Sequence, residues 1–80
     1  MNSRILVVED DSQIQELIVE FLSSQDYIVD TASDGIEGYE KFKSRNYDLV
    51  ILDVMMPKLN GIEACLKIRE EREVPIIMLS

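Results

Sequence analysis

Leu49-Val50-Ile51-Leu52-Asp53 is the stretch that decides the fold. Four consecutive apolar residues end abruptly in a carboxylate, and Pro57 follows four positions later. A continuous apolar run of this length, rich in β-branched residues, reads as a parallel strand covered on both faces. Asp48 to Asp53 is therefore expected to be a strand, with Asp53 where the chain turns out toward water. A second run, Ile5-Leu6-Val7-Val8, ends in Glu9-Asp10-Asp11. Two buried strands that both end in carboxylates predict a site at one edge of a sheet, able to bind a divalent cation and to present one oxygen as a nucleophile.

The segments between these strands carry helical periodicity. Ser12 and Gln15 are spaced as a capping box, and Ile14, Leu17, Ile18, Phe21 and Leu22 follow at helical spacing, predicting a helix over roughly Ser12 to Ser23. Tyr27 to Thr31 reads as a short strand. After the Asp34-Gly35 turn, Ile36, Tyr39 and Phe42 mark the buried stripe of a second helix. Gly38 weakens that helix by about 1 kcal/mol relative to Ala. Pro57-Lys58-Leu59-Asn60-Gly61 has strong turn chemistry. Ile62, Cys65, Leu66 and Arg69 suggest a third helix ending in a charged stretch, and Pro75 opens a fourth strand, Ile76 to Leu79, before Ser80. The order βαβαβαβ implies an α/β fold: a doubly wound parallel sheet with right-handed crossovers and helices on both faces. Ligands in such sheets bind beyond the carboxyl ends of the strands, where strand order reverses. Glu9, Asp10, Asp53 and Ser80 all follow such ends and so share one edge.

Size and composition narrow the function classes. Eighty residues make at most one small domain, which buries only about 60–65% of its unfolded surface. The formal charge of −8 argues against a grip on phosphate backbones, which needs clustered Lys and Arg. No apolar run approaches the roughly 20 residues that span a bilayer, and Met1-Asn2-Ser3-Arg4 leads straight into a strand without a visible signal peptide. The single cysteine, Cys65, excludes an internal disulfide and fits a reducing, cytoplasmic setting. Its place on an apolar helical face reads as packing.

The chemistry that remains is that of oxygen and a hard metal. The chain has no His and one Cys, which removes Ser-His-Asp sites and makes zinc a poor fit. It also lacks the glycine-rich phosphate loops. Carboxylates gathered in space repel one another unless a cation lies between them, and Mg²⁺ suits a site of one or two carboxylates plus a phosphate. Read alone, Glu9-Asp10-Asp11 is equally well explained as favourable charge at a helix N-terminus. A turn or cap role explains Asp53 less well, because the next helix starts several residues later.

Taken together, Ile5 to Asp11, Asp48 to Pro57, Asn60-Gly61 and Pro75 to Ser80 resemble the receiver domain of two-component response regulators, across the whole chain and in the right order. The resemblance implies a flavodoxin-like sheet of strand order 2-1-3-4-5, with strands one to four of five falling in these 80 residues. It implies that Asp53 is the phosphoacceptor, which takes a phosphoryl group from the phosphohistidine of a sensor histidine kinase. Asp10 would be a direct Mg²⁺ ligand and Glu9 would act through water. Met55 would lend its backbone carbonyl to the metal, and Ser80 would be the switch hydroxyl. Such a protein is a phosphoacceptor with at most slow self-dephosphorylation, not an enzyme in the ordinary sense. Asn60 stands where the family often has Asp, and Gly38 where Ala is commoner; both changes read as structural. The opening sequence and the Met55-Met56-Pro57 turn look most like regulators with a winged-helix DNA-binding output, which would make the output transcription.

One departure matters. A full receiver continues through a helix, a fifth strand and a final helix, and the fifth strand ends in a lysine that pairs with the phosphoryl group. Residues 1–80 are thus expected to be a partial receiver domain. Lys58 and Lys67 are not at the matching position, so no catalytic lysine is expected in this chain. Slow or absent phosphorylation is expected of these residues alone, with output domain or DNA reached only through other parts of the protein. The fourth strand, Ile76-Ile77-Met78-Leu79, would stand at a sheet edge, a template for self-association. The rival reading is a receiver-like interaction or dimerisation module that is not phosphorylated. An Mg²⁺-dependent phosphohydrolase is a further rival, but it usually has a second Asp two residues after the nucleophile, where this chain has Met55.

Overall fold

A computed structural model describes residues 2–54 and 61–79. Seven elements follow one another as strand and helix in strict alternation: β1 (Arg4–Val8), α1 (Ser12–Ser24), β2 (Ile28–Ala32), α2 (Gly35–Ser44), β3 (Leu49–Asp53), α3 (Gly61–Glu71) and β4 (Ile76–Leu79). The four strands form one sheet in the order β2-β1-β3-β4, and every pairing is parallel. This is the doubly wound arrangement expected from the sequence.

Strand alternation divides the core in two. Leu6, Val8, Val50 and Leu52 point to the face covered by α2 and α3, where they meet Phe42, Tyr47, Ala64 and Ile68. Ile5 and Val7 point to the other face and meet Leu22 and Ile18 of α1. Because both faces of β1 are covered, its residues Ile5 to Val8 are all buried. The stacked rings of Phe42 and Tyr47 close the larger core at its base, with Arg72 lying over the Phe42 ring at 4.1 Å. Cys65 packs at the margin of that core, in keeping with a packing role.

The helix faces correct several expectations. Ser12 is the first helical residue, not the cap: Asp11 caps α1 through Oδ1, which accepts from the backbone N–H groups of Gln13 and Ile14. Asp11 has the extended backbone of a cap, and its carbonyl already accepts from Gln15 N. In α2 the buried stripe is Gly35, Gly38 and Phe42, whereas Ile36 is exposed. In α3 it is Ala64 and Ile68, whereas Ile62 and Leu66 are exposed. The two helices lean on each other as well as on the sheet, so the small Gly38 and Ala64 are turned inward beside the larger Phe42 and Ile68. In α1, Leu22 is buried and Ile18 packs beside it, whereas Ile14, Leu17 and Phe21 are exposed. The turn expected over Pro57 to Asn60 lies outside the described residues.

At its carboxyl end α1 stops in a double-bonded turn. Tyr27 N donates to Leu22 O and Asp26 N to Ser23 O, with Asp26 at φ 68°. That is the Schellman arrangement, whose left-handed position glycine fills without strain. Asp26→Gly is therefore expected to raise stability by about 0.5–1 kcal/mol, read as a higher urea midpoint at unchanged slope.

Candidate functional site

The register of β1 against β3 builds the site. Val8 pairs with Leu52, so the next residue of each strand, Glu9 and Asp53, emerge side by side at the carboxyl edge of the sheet. Asp10 follows Glu9. Each of the three residues offers a carboxylate oxygen, and these oxygens lie within 4.8 Å of one another. The sequence expectation that Glu9, Asp10 and Asp53 share one edge is thus realised as a cluster. Asp53 pairs in register with Leu79 of β4, and Val54 N donates to Leu79 O at 2.9 Å. Met55 and Ser80, expected as a carbonyl ligand and the switch hydroxyl, lie outside the described residues, as do Lys58 and Asn60. Lys67 sits over the Tyr39 ring on the α2–α3 surface.

The three carboxylates differ in environment. Glu9 is the only buried charged or polar residue among those described, at 3% exposure, while Asp53 is half-buried and Asp10 exposed. Burial pushes the Glu9 carboxyl up to about 7. The Asp11 N–H that donates to its Oε2 at 3.1 Å works against that rise, and contacts with Asp53 and Asp10 add to it. A raised carboxyl is expected of an acid crowded by others in a poorly solvated corner.

Gln15 holds the strand ends in place, a role the capping-box reading missed. Its Nε2 donates to Glu9 O at 3.0 Å and to Ala32 O at 3.2 Å, while Glu9 N donates to the same Ala32 carbonyl at 3.0 Å. One amide on the first turn of α1 therefore ties together the ends of β1 and β2. The sequence signal was present, since Gln15 is the only amide side chain one helical turn from the Asp11 cap, but its target could not be read without the register.

An all-oxygen donor set, crowded enough to raise one member's pKa, fits a hard divalent cation. With an oxygen triangle no wider than 4.8 Å, the residues present fit Mg²⁺.

The comparisons with known proteins agree with this geometry. The family model for the response regulator receiver domain matches residues 5–80. The chain belongs to that family. The transcriptional regulatory protein ResD of Bacillus subtilis is 45% identical over 78 residues, covering 98% of this chain and 32% of ResD. The receiver therefore spans about a third of the curated relatives' length. Among solved structures, the response regulator TrrA of Thermotoga maritima in complex with Mg²⁺-BeF matches with a TM-score of 0.92 at 47% identity, covering 98% of this chain and 68% of TrrA. TrrA also matches in its complex with the histidine kinase ThkA, with a TM-score of 0.91 and coverage of 100% and 69%. No helix among the described residues is long and apolar enough to cross a membrane.

The raised pKa of Glu9 has a stability consequence. Its folded value of about 7 exceeds its ordinary 4.5, so the folded state binds the extra proton and its contribution is complete below the ordinary value. That contribution is lost as pH rises through about 7. Without divalent cation, stability in urea is expected to fall between those pH values. Glu9→Gln is expected to flatten this part of the profile; an unchanged slope in the variant would refute the assignment.

Proposed function

We propose that this receiver domain is a phosphoacceptor switch, with Asp53 as nucleophile and Mg²⁺ as cofactor. The observation that carries the reading is the convergence of Glu9, Asp10 and Asp53 oxygens within 4.8 Å at the end of the sheet. Asp10 and Asp53 would hold the ion directly and Glu9 through water, with the Met55 carbonyl completing the set. When bound, Mg²⁺ neutralises the carboxylates and the incoming phosphoryl oxygens. An Asp53 oxygen attacks the phosphorus of a phosphohistidine. The new O–P bond forms as the P–N bond breaks, its electron pair returns to the imidazole, and the phosphoryl group moves to Asp53. Glu9, pinned by Asp11 N–H and by Gln15, keeps the β1 end in register while this happens. Ser80 would then donate its hydroxyl to a phosphoryl oxygen and report the change. TrrA in complex with Mg²⁺-BeF and TrrA bound to the histidine kinase ThkA support the cofactor and the kinase partner by similarity. ResD, a transcriptional regulatory protein, supports an output in transcription.

The chain spans about two-thirds of TrrA, so the test uses these 80 residues and also a chain extended to the length of the solved receivers. Incubation with Mg²⁺ and acetyl phosphate is expected to add one phosphoryl group to the extended chain, seen by intact mass. Asp53→Asn and removal of Mg²⁺ should each abolish the addition. If the extended chain incorporates nothing, the interaction-module reading takes its place.

A specific observation favours a second property. Among the described residues β4 pairs on one side only, with β3, and Ile77 and Met78 are 50% and 41% exposed. A second copy could add to that edge through backbone hydrogen bonds. Sedimentation of the 80-residue chain at rising concentration is expected to show dimers that Ile77→Lys disperses; a monomer at every concentration would exclude this.

A further inference from the structure

Among the described residues the sheet has two outer strands, β2 and β4, and their edges differ. β4, Ile76-Ile77-Met78-Leu79, carries no charge. β2, Ile28-Val29-Asp30-Thr31-Ala32, is also rich in β-branched residues, and Ile28 is exposed. Successive residues of a strand turn their backbone N–H and C=O to opposite neighbours. Ile28 N donates to Ser3 O and Glu9 N donates to Ala32 O, so Ile28, Asp30 and Ala32 face β1. Val29, Thr31 and Ser33 therefore turn theirs outward, where a further strand would bond. Two side chains of α2 reach those outward groups. Ser33 N donates to Glu37 Oε1 at 2.8 Å, and Lys41 Nζ donates to Thr31 O. Glu37 Oε2 holds the same ammonium at 3.3 Å. The bond to Ser33 is what an acid in the first turn of a helix commonly makes. Lys41 has no such local reason to cross from the helix to the strand. As an ion pair between residues one turn apart, Glu37 and Lys41 would contribute little; what matters is where the ammonium is held.

We propose that Lys41, oriented by Glu37, closes the β2 edge to a second copy of this chain. A strand pairing there needs Thr31 O as an acceptor, and must first displace the ammonium bonded to it. The displaced charge would then stand poorly hydrated at the new contact, which is costly. Lysine on an outer strand is a common guard against edge pairing; here the neighbouring helix supplies it. With β2 closed, pairing through β4 ends at two copies, because a two-fold contact uses each β4 once and leaves no open strand. The closure of β2 does not depend on whether β4 pairs.

The experiment places every variant on Ile77→Lys, so that pairing through β4 is silenced and β2 is tested alone. Self-association is read by sedimentation at rising concentration, and hydrogen exchange of the outward Val29 and Thr31 amides by NMR. Lys41→Met keeps the length of the side chain and removes the ammonium. It is expected to tighten self-association about tenfold, as one freed backbone hydrogen bond allows, and to slow exchange of the two amides as the copies pair. Lys41→Arg, which can still donate to Thr31 O, should remain monomeric. Lys43→Met removes the same charge from the same helix, where Lys43 pairs with Glu40 at 3.4 Å, and should also remain monomeric. Three results would each overturn the proposal: a monomeric Lys41→Met at every concentration, equal association of Lys43→Met, or association that leaves the two amides exchanging as in the monomer. Should Lys41→Met fail to fold, Lys41→Ala, which favours the helix, opens the same carbonyl and is expected to associate likewise; a monomer there overturns the proposal too. The chain without Ile77→Lys decides the β4 reading separately.

Discussion

The pairing of β1 with β3, with Val8 opposite Leu52, is the constraint on which the rest of the molecule depends. It is a hydrophobic register first: both strands bury continuous apolar runs, and a one-residue slip would turn every one of those side chains to the opposite face. The carboxylates gain their proximity from that register. Glu9 and Asp53 repel, and Glu9 is nearly devoid of water, so nothing in the acids themselves favours their meeting. They meet because Leu6, Val8, Val50 and Leu52 bury together on one face of the sheet. Burial of apolar surface, at about 25 cal/mol per Å², thus offsets the electrostatic strain stored at the edge.

That division explains which features were legible in the sequence. Leu49 to Leu52 and Ile5 to Val8 announce buried parallel strands by composition alone, and the residues that end them announce the edge at which a site can form. The helices were legible as periodic segments, but their inward faces were not. Ile62 and Leu66 are the apolar residues a stripe would be drawn through, yet Ala64 and Ile68 are the ones turned inward, because α3 packs against α2 as well as β3. Which residue caps α1 was ambiguous for a related reason. Asp11 and Ser12 are both good caps, and the choice depends on where the strand releases the chain. Gln15 bonds to Ala32 and Gly38 lies against Val8, both distant in sequence, and no local pattern reveals such a neighbour.

The opposite edge of the sheet shows what a purely structural charge cluster looks like in the same molecule. Asp30 accepts from Tyr47 Oη at 2.7 Å and from Arg4 Nη1 at 3.0 Å, and Arg45 lies 3.5 Å away. Burial acts to raise its pKa, but these donors and charges outweigh it and hold the carboxyl below its ordinary range. The same hydrogen bond and burial push the Tyr47 hydroxyl up to about 12. Here one acid has three compensating donors. At the carboxyl edge, by contrast, three acids lie together, and the Asp11 N–H donates to Glu9.

The graded exposure of the three acids fits the separate roles proposed for them. Glu9, buried and bonded to Asp11 N, is fixed in place and poorly suited to exchange ligands with solvent. Asp10 is exposed and adjacent, so an ion can reach it while keeping several waters, which Mg²⁺ gives up reluctantly. Asp53 is half-buried at the strand end: ordered by its backbone pairing with β4, yet partly accessible. A nucleophile needs both properties, since order removes the entropy of alignment and exposure admits the reactant. Of the three positions, only Asp53 joins a strand-fixed backbone to a partly open side chain. That physical contrast supports the nucleophile role proposed for Asp53.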